Sequence, residues 1–172
     1  MVGDEQEFEA LWAAHSASVL RYAARRVPPG EVDDVVAETF VVAWRRLNTV
    51  PDPALPWLLG VARRVAANTT RSTNRRTALH TRLASTTPAP DPAAIPDGWD
   101  AESGRALAAL ARLSASDQEL LTLIAWDGLS PAEAAHALGC SRATLAVRLH
   151  RARTRLRTHL ADSDDDPDPQ AT

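Results

Sequence analysis

Lysine is absent from these 172 residues, cysteine and methionine occur once each, and glycine is limited to 7 positions. The lone cysteine, Cys140, excludes an internal disulfide framework and any cysteine-rich zinc site. His136 and Cys140 lie four apart, which is metal-ligand spacing, but two ligands make no site. No cofactor is expected. No uninterrupted apolar run is long enough to span a bilayer, and the acidic N-terminus lacks the features of a signal peptide. A cytoplasmic chain without membrane insertion is the expectation. With glycine scarce and β-branched runs short, good helix formers dominate the periodic stretches and favour an all-α fold.

What is present is arginine, 19 of them, and a hydrophobic share of 45% that supports one ordinary domain or two small ones. A GC-rich genome produces such an arginine bias without selection on function, although the guanidinium fork does suit phosphate and guanine. The net charge of −3 conceals strong segregation. Residues 57–85 hold six arginines and no acid, residues 141–160 another six and no acid, and residues 161–172 five aspartates and no base. Local basic surfaces therefore survive the overall negative balance.

Apolar periodicity predicts a first helix from Glu5 to Arg26, with Phe8, Leu11, Trp12, His15, Val19 and Tyr22 at three- and four-residue steps. Pro28, Pro29 and Gly30 end it. A second helix is predicted from Val32 to Leu47, its acids toward the N-terminus and Arg45 and Arg46 at the other end, as the helix dipole favours. Pro51, Pro53 and Pro56 predict a short rigid loop, and a third helix follows from Trp57 to Arg76 with Trp57, Leu58, Val61 and Val65 inward. Trp44 is expected in the core; for Trp57, core packing and a role beside the loop stay open. Residues 77–100, with four prolines among small polar residues, read as a flexible linker. The expectation is two small helical domains, 1–76 and 101–160, followed by an acidic disordered tail over 161–172.

The most specific local signal begins at Ser130. Ser130 and Glu133 have capping-box spacing, Pro131 suits the first helical position, Gly139 suits a left-handed terminus, and Ser141 can cap the next helix. Short helix, glycine turn and capped basic helix are the parts of a helix-turn-helix. On a wheel of the last helix, Leu145, Leu149, Ala152 and Leu156 share one sector, and Ala143, Val147, His150, Arg151 and Thr154 the opposite one. The second sector is expected in a major groove, flanked by Arg142 and Arg153 on one side and Arg148 and Arg155 on the other, where phosphates lie. Arg151 is the candidate for a bidentate guanine contact, and Val147 and Ala143 for thymine methyl groups.

The chain closely resembles the extracytoplasmic-function sigma factors of bacterial RNA polymerase, in both halves and in order. Asp127-Gly-Leu-Ser-Pro-Ala-Glu-Ala-Ala, Leu138-Gly-Cys-Ser and Val147-Arg-Leu-His-Arg-Ala-Arg-Thr-Arg-Leu look like the family's −35-reading domain. The segment from Asp33 to Leu47 resembles the helix that binds the polymerase clamp, which separates this class from other helix-turn-helix regulators. Pro56-Trp-Leu-Leu-Gly-Val-Ala-Arg-Arg-Val-Ala-Ala-Asn resembles the helix that reads and helps melt the −10 element, with the loop before it, Asn48 to Leu55, capturing a flipped base.

The resemblance implies a non-enzymatic initiation factor whose partners are core RNA polymerase, promoter DNA and an inhibitory anti-sigma protein. Polymerase docking would fall to Asp34, Val35, Glu38, Phe40, Val41 and Arg45. The −10 set would be Asn48, Trp57, Arg63, Arg64, Asn68, Arg71 and Arg75, with Arg76 also along the backbone; Asn68 is the member able to donate and accept toward a base edge. The −35 set would be Arg142, Ala143, Thr144, Ala146, Val147, Arg148, His150, Arg151 and Arg155. Two positions depart from the commonest pattern: Ala37 stands where glutamine is frequent, and Ala146 where a basic residue often meets DNA. The second shifts −35 readout onto Val147, His150 and Arg151. Two rival readings remain: a stand-alone dimeric regulator on a palindromic operator, and a hydrolase built on Asp33, Asp34 and Glu38, which lack a convergent base, nucleophile or metal set.

Overall fold

A computed structural model describes residues 2–80 and 101–164, with side chains placed for 3–72 and 102–162. Among the described residues the chain is helical without strands, in agreement with the all-α expectation: α1 Val2–Ala24, α2 Val32–Arg45, α3 Ala54–His80, α4 Ala101–Ala111, α5 Ala115–Ala125, α6 Pro131–Leu138 and α7 Arg142–Asp164. Two compact units emerge, one of Met1–Thr86 with Ala132–Gly139, the other of Thr87–Pro131 with Cys140–Thr172. Most of the expected linker and the end of the expected tail lie outside the described residues.

In the first unit α1, α2 and α3 pack pairwise. Helix α2 buries Val32, Val35, Val36, Thr39, Phe40 and Ala43, a set that repeats at three- and four-residue steps and forms one stripe. The α3 stripe of Leu58, Leu59, Val61, Ala62, Val65 and Ala66 is equally buried, and Tyr22 and Val19 of α1 complete the core. Each fully buried large side chain of this kind contributes about 1.5–3 kcal/mol. Thr39 is the polar member at 0% exposure, and its hydroxyl donates to the Val35 carbonyl at 2.7 Å, so its burial leaves no orphan group.

Three expectations at helix ends are corrected. Helix α3 starts at Ala54, three residues before Trp57, because Pro56 sits in the first turn, where the missing N–H has no intrahelical partner to lose. Since Leu47–Thr49 forms a single 3-10 turn, the irregular loop expected over 48–55 contracts to residues 50–53. Helix α7 runs to Asp164, four residues into the expected tail, with Asp162 Oδ2 3.8 Å from Arg112 Nη2 next to the end of α4. That ion pair gives the last turn of α7 a partner beyond its own backbone.

In the second unit α7 packs on both α4 and α5. Ser114 caps α5, its Oγ accepting the Asp117 N–H at 3.2 Å. Gln118 Nε2 donates to the carbonyls of Leu113 at 2.8 Å and Ala111 at 3.2 Å, closing the corner between α4 and α5. At the far end of α5, Gly128 takes φ +71° and lets the Leu129 N–H reach the Leu123 carbonyl at 3.0 Å.

Candidate functional site

The polymerase-docking set divides by burial. Val35 is 0% and Phe40 1% exposed, so neither can touch a partner; both belong to the core stripe of α2. Asp34, Glu38, Val41 and Arg45 are exposed and follow each other at four, three and four residues, a second stripe on the outer face. The steps that built the core stripe carry this separation too, so it was available in the sequence. Trp44, expected inside, is 46% exposed. Its ring stands edge-on to Phe8 at 5.1 Å, and Trp12 tilts against Phe40 at 4.4 Å, so the aromatic residues line the seam of α1 and α2, with Phe40 buried and Trp12 and Trp44 partly in solvent.

The −10 set lies on and beside α3. Arg63, Arg64, Asn68 and Arg71 are exposed on the face opposite the buried stripe, and Trp57 is half-buried. Arg71 Nη2 donates to Asn68 Oδ1 at 2.6 Å, which uses one of the two acceptor positions of the Asn68 amide oxygen. The Arg75 and Arg76 side chains lie outside the described ones. Asn48 is exposed and lines a cavity of about 450 Å³ with Thr49, Leu47, Arg46, Arg45, Trp44 and Asp4. Asp4 and Trp44 had not been assigned to this place, because only tertiary packing brings the start of α1 to the end of α2.

The short helix, glycine turn and capped helix of the helix-turn-helix are all present. Helix α6 begins at Pro131, directly after Ser130 and with Glu133 in its first turn. Gly139 takes φ +66°, and a Cβ there would meet nothing within 4 Å, so the demand for glycine is a backbone demand. The Ser141 Oγ accepts the Thr144 N–H at 3.1 Å and lies 2.9 Å from the Thr144 hydroxyl, capping α7 and engaging Thr144 in the cap. Leu145, Leu149 and Ala152 are buried. Arg142, Ala143, Ala146, Val147, His150, Arg151, Arg153 and Thr154 are exposed, and Val147 keeps 51% of its surface in solvent.

Two arginines of the −35 set are engaged within the unit. Arg148 Nη2 donates to Ser116 Oγ at 2.7 Å, and Arg155 Nη1 to Asp117 Oδ2 at 2.6 Å. No motif of α7 points to Ser116, Asp117 or Gln118. Ser114 followed three residues later by Asp117, just before an apolar run, was the signal that could have found them. Among the described residues no group of three or more metal-ligating side chains occurs, and no helix is long and apolar enough to cross a membrane.

The family described as Sigma-70 region 2 matches residues 11–76, and Sigma-70, region 4 matches residues 103–156. The chain is 34% identical over 159 residues to the ECF RNA polymerase sigma factor SigL of Mycobacterium tuberculosis, covering 89% of this chain and 88% of that protein. It is 32% identical to the RNA polymerase sigma factor CnrH of Cupriavidus metallidurans, covering 94% of this chain and 90% of that protein. The solved structure of CnrH in complex with the cytosolic domain of CnrY aligns at a TM-score of 0.60 and 28% identity, covering 92% of this chain and 89% of that one. The sigma factor RpoE in complex with the anti-sigma factor NepR from Bartonella quintana shares the fold at a TM-score of 0.67 and 22% identity, over 91% of this chain and 98% of that one. A core-buried α2 with an outer stripe, a basic α3 and a capped basic α7 thus match both sigma regions in order, and the chain belongs to the ECF sigma factors, which direct promoter-specific transcription initiation.

Proposed function

We propose that the outer stripe of α2, Asp34, Glu38, Val41 and Arg45, docks on core RNA polymerase, while α3 and α7 engage the −10 and −35 elements of one promoter. Arg63, Arg64 and Arg71 follow the backbone, Asn68 donates toward a base edge, and Asn48 serves the cavity in which a base leaving the stack is held. The functional division follows residues 1–76 and 101–160, because a helix-turn-helix needs α6 and α7 in one piece. The chain works in the cytoplasm and makes or breaks no bond; its contribution is position. An anti-sigma protein is its inhibitory partner, as the solved complexes of CnrH and RpoE suggest for their relatives.

The observation that carries this reading is the solvent-facing sector Ala143, Val147, His150 and Arg151 of a helix whose other face is buried behind a glycine turn. Purification with core polymerase followed by run-off transcription on a promoter library tests it. Arg151→Ala should abolish preference at a single −35 position, a loss of about 1–3 kcal/mol of discrimination. A uniform loss across sequences would make Arg151 a phosphate contact. A homodimer that binds a palindrome and forms no polymerase complex would overturn the reading as a whole.

A further inference from the structure

Two consecutive residues at the start of α5 reach two arginines of α7. Arg148 and Arg155 are seven apart, so they lie on one side of the helix and about 10.5 Å apart along its axis. Attachment at two such points fixes both the rotation of α7 and its slide along α5. The apolar contacts of Leu145, Leu149 and Ala152 are non-directional and fix neither as sharply. The Asp117 side chain is only 10% exposed against 57% for Arg155, so the carboxylate is the fixed partner and the guanidinium comes to it. Asp117 is itself held: its N–H goes to the Ser114 cap, and its neighbour Gln118 ties the same turn to the end of α4. A carboxylate at this depth without its partner would be costly, which keeps Arg155 at home.

We infer that Asp117, assisted by Ser116, is a positioning residue for −35 readout, holding α7 through Arg155 at the rotation that turns Val147, His150 and Arg151 outward and withholding Arg155 from DNA phosphate. The inference rests on α7 being the −35-reading helix. It revises the sequence-based assignment of Arg155 to the phosphate-contacting flank.

The test uses the full chain assembled with core polymerase and reads two quantities: base preference at each −35 position, and the salt dependence of promoter binding. Asp117→Asn should flatten preference at the position read by Arg151 by about tenfold. It should also steepen the slope of log affinity against log salt by about 0.9, as Arg155 is released to a phosphate. Arg155→Gln should flatten the same position and leave the slope unchanged. The reversed pair Asp117→Arg with Arg155→Asp should restore the preference, and circular dichroism at native helix content separates repositioning from misfolding. If Arg155→Gln lowers the slope by about 0.9 while preference is kept, Arg155 is a phosphate contact and the inference falls. A natively helical reversed pair that leaves the preference flat also overturns it. Arg151→Ala leaving every −35 preference intact would remove the reading of α7 itself, and the positioning role with it.

Discussion

Gly139 and His15 illustrate how single residues carry different kinds of constraint. Gly139 has open space around its missing Cβ, so its role comes wholly from φ +66°. Gly139→Ala should destabilise the helix-turn-helix by about 1–2 kcal/mol, the cost of a left-handed L-residue, read as a lower midpoint of thermal unfolding. His15, partly buried on α1, has its pKa held below the usual 6.5 because desolvation penalises imidazolium. The unfolded chain therefore takes up this proton first as pH falls. The stability that depends on neutral His15 is complete above 6.5 and is lost as pH drops through the folded pKa. Denaturant midpoints measured from about pH 7.5 down to about pH 5.5 should decline, and His15→Gln should remove part of that slope.

The helices sort their residues into roles that a motif alone does not separate. In α2 the resemblance to a polymerase-binding helix spans a contiguous run, yet a contiguous run on a helix faces all directions. Val35 and Phe40 fall to the core and Asp34, Glu38, Val41 and Arg45 to the outside. In α7 the wheel separates the buried residues Leu145, Leu149 and Ala152 from the exposed Ala143, Val147, His150 and Arg151, while the engagement of Arg148 and Arg155 depends on α5, which no wheel of α7 contains. The cap of α7 is a separate local device. Ser141→Ala should lower stability by about 1 kcal/mol and fray the turn that holds Arg142 and Ala143, and hydrogen exchange at the Thr144 amide should report it. Weaker −35 binding with unchanged −10 binding is the expected companion.

For the whole molecule, the proposed function gives each reading helix a small DNA surface, so specificity should depend on both being used at once. A polymerase that fixes the spacing between the two readers would convert the second binding event into an intramolecular one. Lengthening the promoter spacer by a few base pairs should sharply reduce transcription by the polymerase complex. Binding of the isolated chain to the same fragments should remain weak and indifferent to spacer length, in gel-shift or anisotropy measurements at fixed salt. Spacer-dependent binding by the chain alone would contradict this.

Helix identity, the glycine turn, the exposed face of α7 and the sigma-factor resemblance were all legible in the amino-acid order, because each rests on interactions within about one helical turn or on one helix face. Helix ends were less so: Pro56 is a breaker inside a helix and harmless in a first turn, and the order of residues does not say which applies. The partners of Asp117, the exposure of Trp44 and the joining of Asp4 to the cavity beside Asn48 were decided in three dimensions. Each is a meeting of side chains from different helices. Such meetings follow from how helices pack, and local periodicity carries no record of them.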